Sequence, residues 1–288
     1  MPAAEDVALL RALAAHPRGT GTSPLAQARA LCARELQALG FTVREHPFTY
    51  SSLPARAGMA VVGVLSGAGL VAATWSARYA AASVVLLALA TALGATTAAA
   101  RALSGPRAQR LPFLREHGVN LEAVRGSGRP RVWLVAHLDS KSQAVPLAWR
   151  AAGASASIAA WLLALGGTLA GALAQHDALR WLVCALAVAG AGPLVLTTIG
   201  NRSPGAVDNA SGVVAALAAA RTLGATDAIG VLITDAEERG LAGAHAWASA
   251  REPGVAINCD TVDDEGALMV LASRSVRRRA ARAVATAV

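Results

Sequence analysis

Gly205-Ala-Val-Asp208-Asn209-Ala-Ser-Gly212 sets one carboxylate on a glycine-flanked turn directly before an alanine-rich helix that runs to about Arg221. Upstream, Arg131-Val-Trp-Leu-Val-Ala-His137-Leu-Asp139-Ser140 is an apolar, β-branched run that ends in a His-x-Asp pair. Downstream, Ile229-Gly-Val-Leu-Ile-Thr-Asp235-Ala-Glu237-Glu238-Arg-Gly240 ends in paired glutamates, and Val255-Ala-Ile-Asn-Cys-Asp260 ends in an aspartate. Three strands of the buried type thus finish in oxygen or imidazole donors, which the carboxyl ends of a parallel sheet can bring together. The fold class read from this is α/β, a mixed sheet with a mostly parallel core flanked by helices. A metal would sit where the strand ends converge.

Composition adds a second component. Hydrophobic residues make up 55% of the 288 and charged residues 15%, against roughly a quarter charged in an ordinary soluble domain. From Ala57 to Thr74, Tyr79 to Ala100, Ala151 to Leu173 and Leu179 to Ile199 the chain carries few charges, in runs of about 18 to 23 residues that suffice to cross a bilayer. Tight connections pair them into two hairpins. The expected organisation is a discontinuous domain over 1–56, 101–148 and 201–288, with transmembrane hairpins at 57–100 and 149–200. The net charge of +8 comes almost wholly from arginine, Lys141 being the only lysine. These arginines flank apolar runs and form no patch with interleaved aromatics, so no nucleic acid is expected as partner. Arg56, Arg101, Arg107, Arg110, Arg150 and Arg202 lie on the polar side of the spans, against Arg78 and Arg180 near the tips. By the positive-inside rule the polar domain of this multi-pass cell-membrane protein faces the cytoplasm. Cys32, Cys184 and Cys259 lack metal-ligand spacing and read as small buried hydrophobes.

Around this frame the start of the chain reads as a helix, Met1 to Ala15. A second helix runs from Ser23 to about Leu39, and Phe41 to Tyr50 alternates as a strand. Val119 to Arg125 forms a further strand, and Ser275 to Val288 a basic helix.

A hydrolytic two-metal site needs a bridging carboxylate, capping ligands and a base. His137 is a natural zinc ligand, and Asp139 can fix its tautomer through the other ring nitrogen. Asp208 is the candidate bridge. Of Glu237 and Glu238, adjacent and diverging at a strand end, one can coordinate while the other stays free as general base. Each element alone has a plain structural explanation, such as an N-cap for Asp208; their order and shared placement at strand ends make the case.

Taken together these residues resemble the co-catalytic di-zinc aminopeptidase family, relatives of bacterial leucyl aminopeptidases and of glutaminyl cyclases, in a membrane-anchored variant. The resemblance covers Val7 to Phe48 and Val119 to Met269 apart from the second hairpin, and includes the Arg18-Gly-Thr loop, Asn120 and the motifs quoted above. It implies a zinc-exopeptidase-like fold and two zinc ions. His137 and Asp260 would bind one zinc and Glu238 the other, with Asp208 bridging, Glu237 as general base and Asp139 in support. It further implies a cis peptide after the bridging aspartate, and as substrate a peptide or small amine-bearing molecule. Two departures stand out. A hairpin separates His137 from Asp208. The pattern's last ligand, a histidine beyond Asp260, has no counterpart among His16, His46, His117, His137, His176 and His245, so the C-terminal part of the fold is expected to be missing, and the zinc count, two by the resemblance, is left open to fewer. The function expected is therefore a membrane-anchored zinc aminopeptidase, hydrolysing N-terminal residues. The alternative is a catalytically impaired, one-zinc or zinc-free membrane interaction protein that keeps the fold. A transporter is disfavoured because the spans contain no acidic residue that a substrate path would need.

Overall fold

The computed structural model describes residues 3–126, 128–224, 228–251, 254–263, 269–271 and 273. The basic helix expected over 275–288 lies outside them. Helices α1 (Ala4–Leu13) and α2 (Ser23–Ala38) precede strand β1 (Thr42–Ser51). Then come α3 (Leu53–Ser76), α4 (Ala82–Ser104), β2 (Arg115–Arg125), β3 (Val132–His137) and the two-residue β4 (Ser142–Gln143). The second apolar region holds α5 (Leu147–Leu169), the single turn α6 (Ala172–Gln175) and α7 (Asp177–Leu196). Last are β5 (Ile199–Gly200), α8 (Gly212–Thr222), β6 (Ile229–Thr234), α9 (Ala242–Ala248) and β7 (Val255–Asn258).

Five strands form one mixed sheet in the order β1-β2-β6-β3-β7. The β1/β2 and β2/β6 pairs are antiparallel, and β6/β3 and β3/β7 are parallel. The parallel part is therefore the three strands that end in the singled-out residues, while the other half of the sheet is antiparallel. Strand β6 is buried along its whole length, as expected for a central strand covered on both faces. Residues 121, 123, 134, 136, 231 and 233 point to one face and pack against Leu9, Leu13, Leu25, Cys32, Leu36, Val213 and Leu217 of α1, α2 and α8. The other face meets α9, where Trp133 and Trp247 pack edge to face at 4.7 Å.

Strand direction decides where the hairpins leave. Because β2 runs opposite to β6, and β1 opposite to β2, the end of β1 and the start of β2 lie on the edge that also holds the carboxyl ends of β3, β6 and β7. Hairpin α3–α4 connects β1 to β2, and hairpin α5–α7 follows β3. Both therefore emerge on the same edge, and the antiparallel β4/β5 pair closes the neck of the second.

The four long helices are long and apolar enough to cross a membrane. Their contacts are made by small residues. A Cβ on Gly67 would stand 2.9 Å from the Ala191 methyl, and one on Gly153 2.9 Å from the Pro193 ring. Such close backbone approach is how helices gain van der Waals contact where no hydrophobic drive exists between them. Trp161 Nε1 donates to Ser66 Oγ at 3.1 Å, tying α5 to α3. Large side chains such as Leu87, Ile158, Leu162, Trp181 and Val188 are exposed on the outside. The helix limits differ from the expected spans. Helix α5 stops at Leu169 because Gly171, with φ 69°, turns the chain into a separate α6, and Ile199 leaves the last span to pair in β5.

Candidate metal centre

His137, the last residue of β3, is 3% exposed. Its Nδ1 lies 3.0 Å from the backbone carbonyl of Asp139, whereas the Asp139 carboxylate is 3.7 Å away. The tautomer support expected from that carboxylate thus comes from the carbonyl. The Nε2 atom faces the site, 3.1 Å from Asp208 Oδ1, 3.7 Å from Asp260 Oδ1 and 3.9 Å from Glu237 Oε2. Donor atoms of His137, Asp208 and Asp260 all lie within 4.8 Å of one another.

The turn that carries Asp208 starts at Gly205, whose φ of 60° is left-handed. A Cβ there would run into the Asp208 carbonyl and the Ser140 side chain. The Asp208–Asn209 peptide is cis. Asn209, fully buried, fastens this turn to the end of β7. Its Nδ2 donates to the Cys259 carbonyl at 3.0 Å, and its Oδ1 accepts the amides of Gly212 and Thr261 at 3.1 and 3.2 Å. That fixes Asp208 against Asp260. From the other side Arg18, 1% exposed, donates to the carbonyls of Leu138, Pro204 and Gly205 at 2.8, 2.5 and 3.0 Å and also to that of Leu13. One guanidinium thereby holds the end of β3, the Asp208 turn and the first loop in register.

The Asp139 carboxylate has a different task from the one expected. It accepts the amides of Glu237 and Glu238, each at 3.0 Å, and so sets the 3-10 turn Glu237–Arg239. Asp235 precedes that turn, accepting the amides of Val119 and Ala236 at 3.0 and 2.6 Å. Asn120 bridges Asp235 N and the Gly243 carbonyl. Of the two glutamates, Glu237 points toward His137. Glu238, 8% exposed, does not join the three converging donors; its Oε2 is bound by Lys141 Nζ, and its buried Oε1 has no hydrogen-bond partner among the described residues. Lys141 was not among the expected site residues, and nothing in local sequence pairs it with a residue 97 positions on.

The charges explain one another. Burial opposes an imidazolium at His137, but the Asp139, Asp208 and Asp260 carboxylates outweigh it and push its pKa up to about 12. Facing His137 lowers the pKa values of Asp208 and Asp260. The point reached by His137 Nε2 therefore lies in a field that favours a cation. Burial raises both Glu237 and Glu238.

One imidazole nitrogen and two carboxylates are a donor set that suits zinc. The Asp208 and Asp260 side chains are 52% and 41% exposed, which leaves an open side of the kind catalytic zinc sites keep. Residues 191–288 match the model of peptidase family M28. No curated protein matches the chain, and no solved structure does. The matched third of the chain contains Asp208, Glu237, Glu238 and Asp260, and over that third the chain is similar to the M28 peptidases, a zinc-dependent family.

Proposed function

We propose that the protein is a membrane-anchored, zinc-dependent aminopeptidase that removes N-terminal residues from peptides. The observation that carries this is the convergence of His137, Asp208 and Asp260 beside a half-buried Glu237 that points toward His137. These three residues would hold the zinc, which when bound supplies Lewis acidity toward a carbonyl and a water. Glu237 acts as general base. Its backbone is set by Asp139, its carboxylate stands 3.9 Å from His137 Nε2, and burial raises its proton affinity. That suits a group that takes a proton and passes it to the leaving amine. Outward-facing leucines and valines on the four long helices support a bilayer as their surroundings. The arginines around the necks support a cytoplasmic site.

The test uses the detergent-purified chain with zinc and paired peptides, one with a free N-terminus and one N-acetylated. Cleavage of the free peptide alone is expected. Glu237→Gln should lower turnover at least about 100-fold, the scale of general-base catalysis, with zinc retained, while Asp208→Asn should lose zinc. Equal cleavage of both peptides, or equal zinc content in the two variants, overturns the reading.

A further inference from the structure

The resemblance to the two-zinc enzymes assigns Glu238 to a second cation, and the structure gives that carboxylate another partner. Lys141 Nζ is bound to Glu238 Oε2, with the Glu238 side chain only 4% exposed and that of Lys141 31% exposed. The contact is closed on the protein side. Lys141 follows Asp139 and Ser140 at the carboxyl end of β3, so the backbone that presents His137 also presents the ammonium. Ser140 is anchored, accepting from Arg18 N at 2.9 Å and donating to the Ser203 carbonyl at 2.9 Å. Glu238 is anchored in turn by the bond from its amide to Asp139. These bonds fix the backbones from which the two side chains reach one another, and the same bonds set the His137 side of the site.

Resting on the zinc-peptidase reading above, we propose that the centre takes one divalent cation, on His137, Asp208 and Asp260, and that the Lys141 ammonium occupies the place of the second. Two observations separate the two places. The converging donor group contains His137, Asp208 and Asp260, and Glu238 is outside it. Glu238 Oε2 already has a cation in Lys141, and a dication brought to this carboxylate, its unpartnered Oε1 included, would stand beside that positive charge. Lysine is the compact cation for such a task, a point charge with three donors. Asp208 then serves as a terminal ligand and not as a bridge.

The test is zinc stoichiometry and affinity, read on the full chain in detergent with zinc as the only probe. Wild type should bind one zinc per chain by elemental analysis after gel filtration. Glu238→Gln is isosteric and still offers Lys141 an oxygen. It should keep that stoichiometry, with affinity in chelator competition changed less than about tenfold, below the effect of losing even a group that orients a ligand. Asp260→Asn should lose the zinc. Thermal unfolding of each variant verifies that it is folded. Two zincs in wild type, or a Glu238→Gln loss as large as that of Asp260→Asn, overturns the proposal and leaves the peptidase reading standing. No zinc in folded wild type overturns both.

Discussion

Replacing Asp139 by asparagine separates two roles that the sequence runs together. The carboxylate, 1% exposed, holds the amides of Glu237 and Glu238 at 3.0 Å each. Hydrogen bonds to a charged acceptor contribute about 1.5–3 kcal/mol net. An asparagine keeps one oxygen acceptor but turns its NH2 toward the other amide, so one bond becomes a donor–donor contact. Asp139→Asn should therefore weaken the Glu237–Arg239 turn by about 2–4 kcal/mol, and Asp139→Ala, which loses both bonds, by about 3–6 kcal/mol. His137 is buffered from this change, because its Nδ1 rests on the Asp139 carbonyl, which the substitution keeps. Zinc affinity should fall less than about tenfold, whereas losing a carboxylate that orients a ligand histidine costs about 10–100-fold. Turnover should fall on the order of 100-fold, the penalty of a displacement of about 1 Å in the general base. Chelator competition, turnover, and hydrogen exchange at the Glu237 and Glu238 amides measure the three quantities. A 100-fold loss of zinc affinity with unchanged exchange at those amides would refute the assignment.

Three further outcomes are expected. Burial raises Asp235 from 3.8 to about 6, against the amides of Val119 and Ala236. The folded state then binds more protons than the unfolded state between about pH 4 and 6, and stability falls as pH rises through that window. Relative to Asp235→Asn, wild type should gain up to about 3 kcal/mol on acidification from about pH 7 to 4, and a difference of opposite sign in thermal unfolding counts against it. In the helix bundle a Cβ on Gly190 would stand 2.8 Å from Ser157 N and 3.0 Å from the Gly153 carbonyl, while one on Gly192 meets nothing within 4 Å. Gly190→Leu should therefore lower the melting temperature in detergent and Gly192→Leu should not; equal melting of the two would exclude the close α5–α7 packing. A reporter active only in the cytoplasm, fused at Val288, should be active, and activity of an exported reporter instead would reverse the proposed orientation.

What could be read from the sequence was local. His137, Asp208 and Asp260 each close a strand or turn whose apolar run is visible in the chain. The meeting of His137 and Asp260 follows once β7 pairs in parallel with β3. Strand order was not readable in the same way. β2 and β3 are neighbours in sequence, yet β6 lies between them, and period-2 patterning carries no information about which strand inserts where. The partners of charged groups were hidden for the same reason. Arg18 reads as one more arginine in a loop until the fold puts Leu138, Pro204 and Gly205 around it. Nor does the sequence show that Lys141 lies within reach of Glu238. Asp139 shows the same limit, since spacing fixes which residue faces His137 but not whether its carbonyl or its carboxylate lies nearer. The span ends shifted where a glycine or a β-pair interrupted an apolar run that hydropathy alone treats as continuous.

The common exit edge of the two hairpins makes the protein a ruler. About ten residues separate His137 from the start of α5 at Leu147, a contour of at most about 35 Å, and β1 passes into α3 almost directly, Ser51 to Leu53. With the bundle in a bilayer, the distance from the lipid surface to His137 is capped by this short tether. A substrate anchored in the same membrane would need only about ten extended residues beyond the lipid to bring its N-terminus to the site. A chain that projects at least that far from the membrane is thus within reach of the site before any side chain is read.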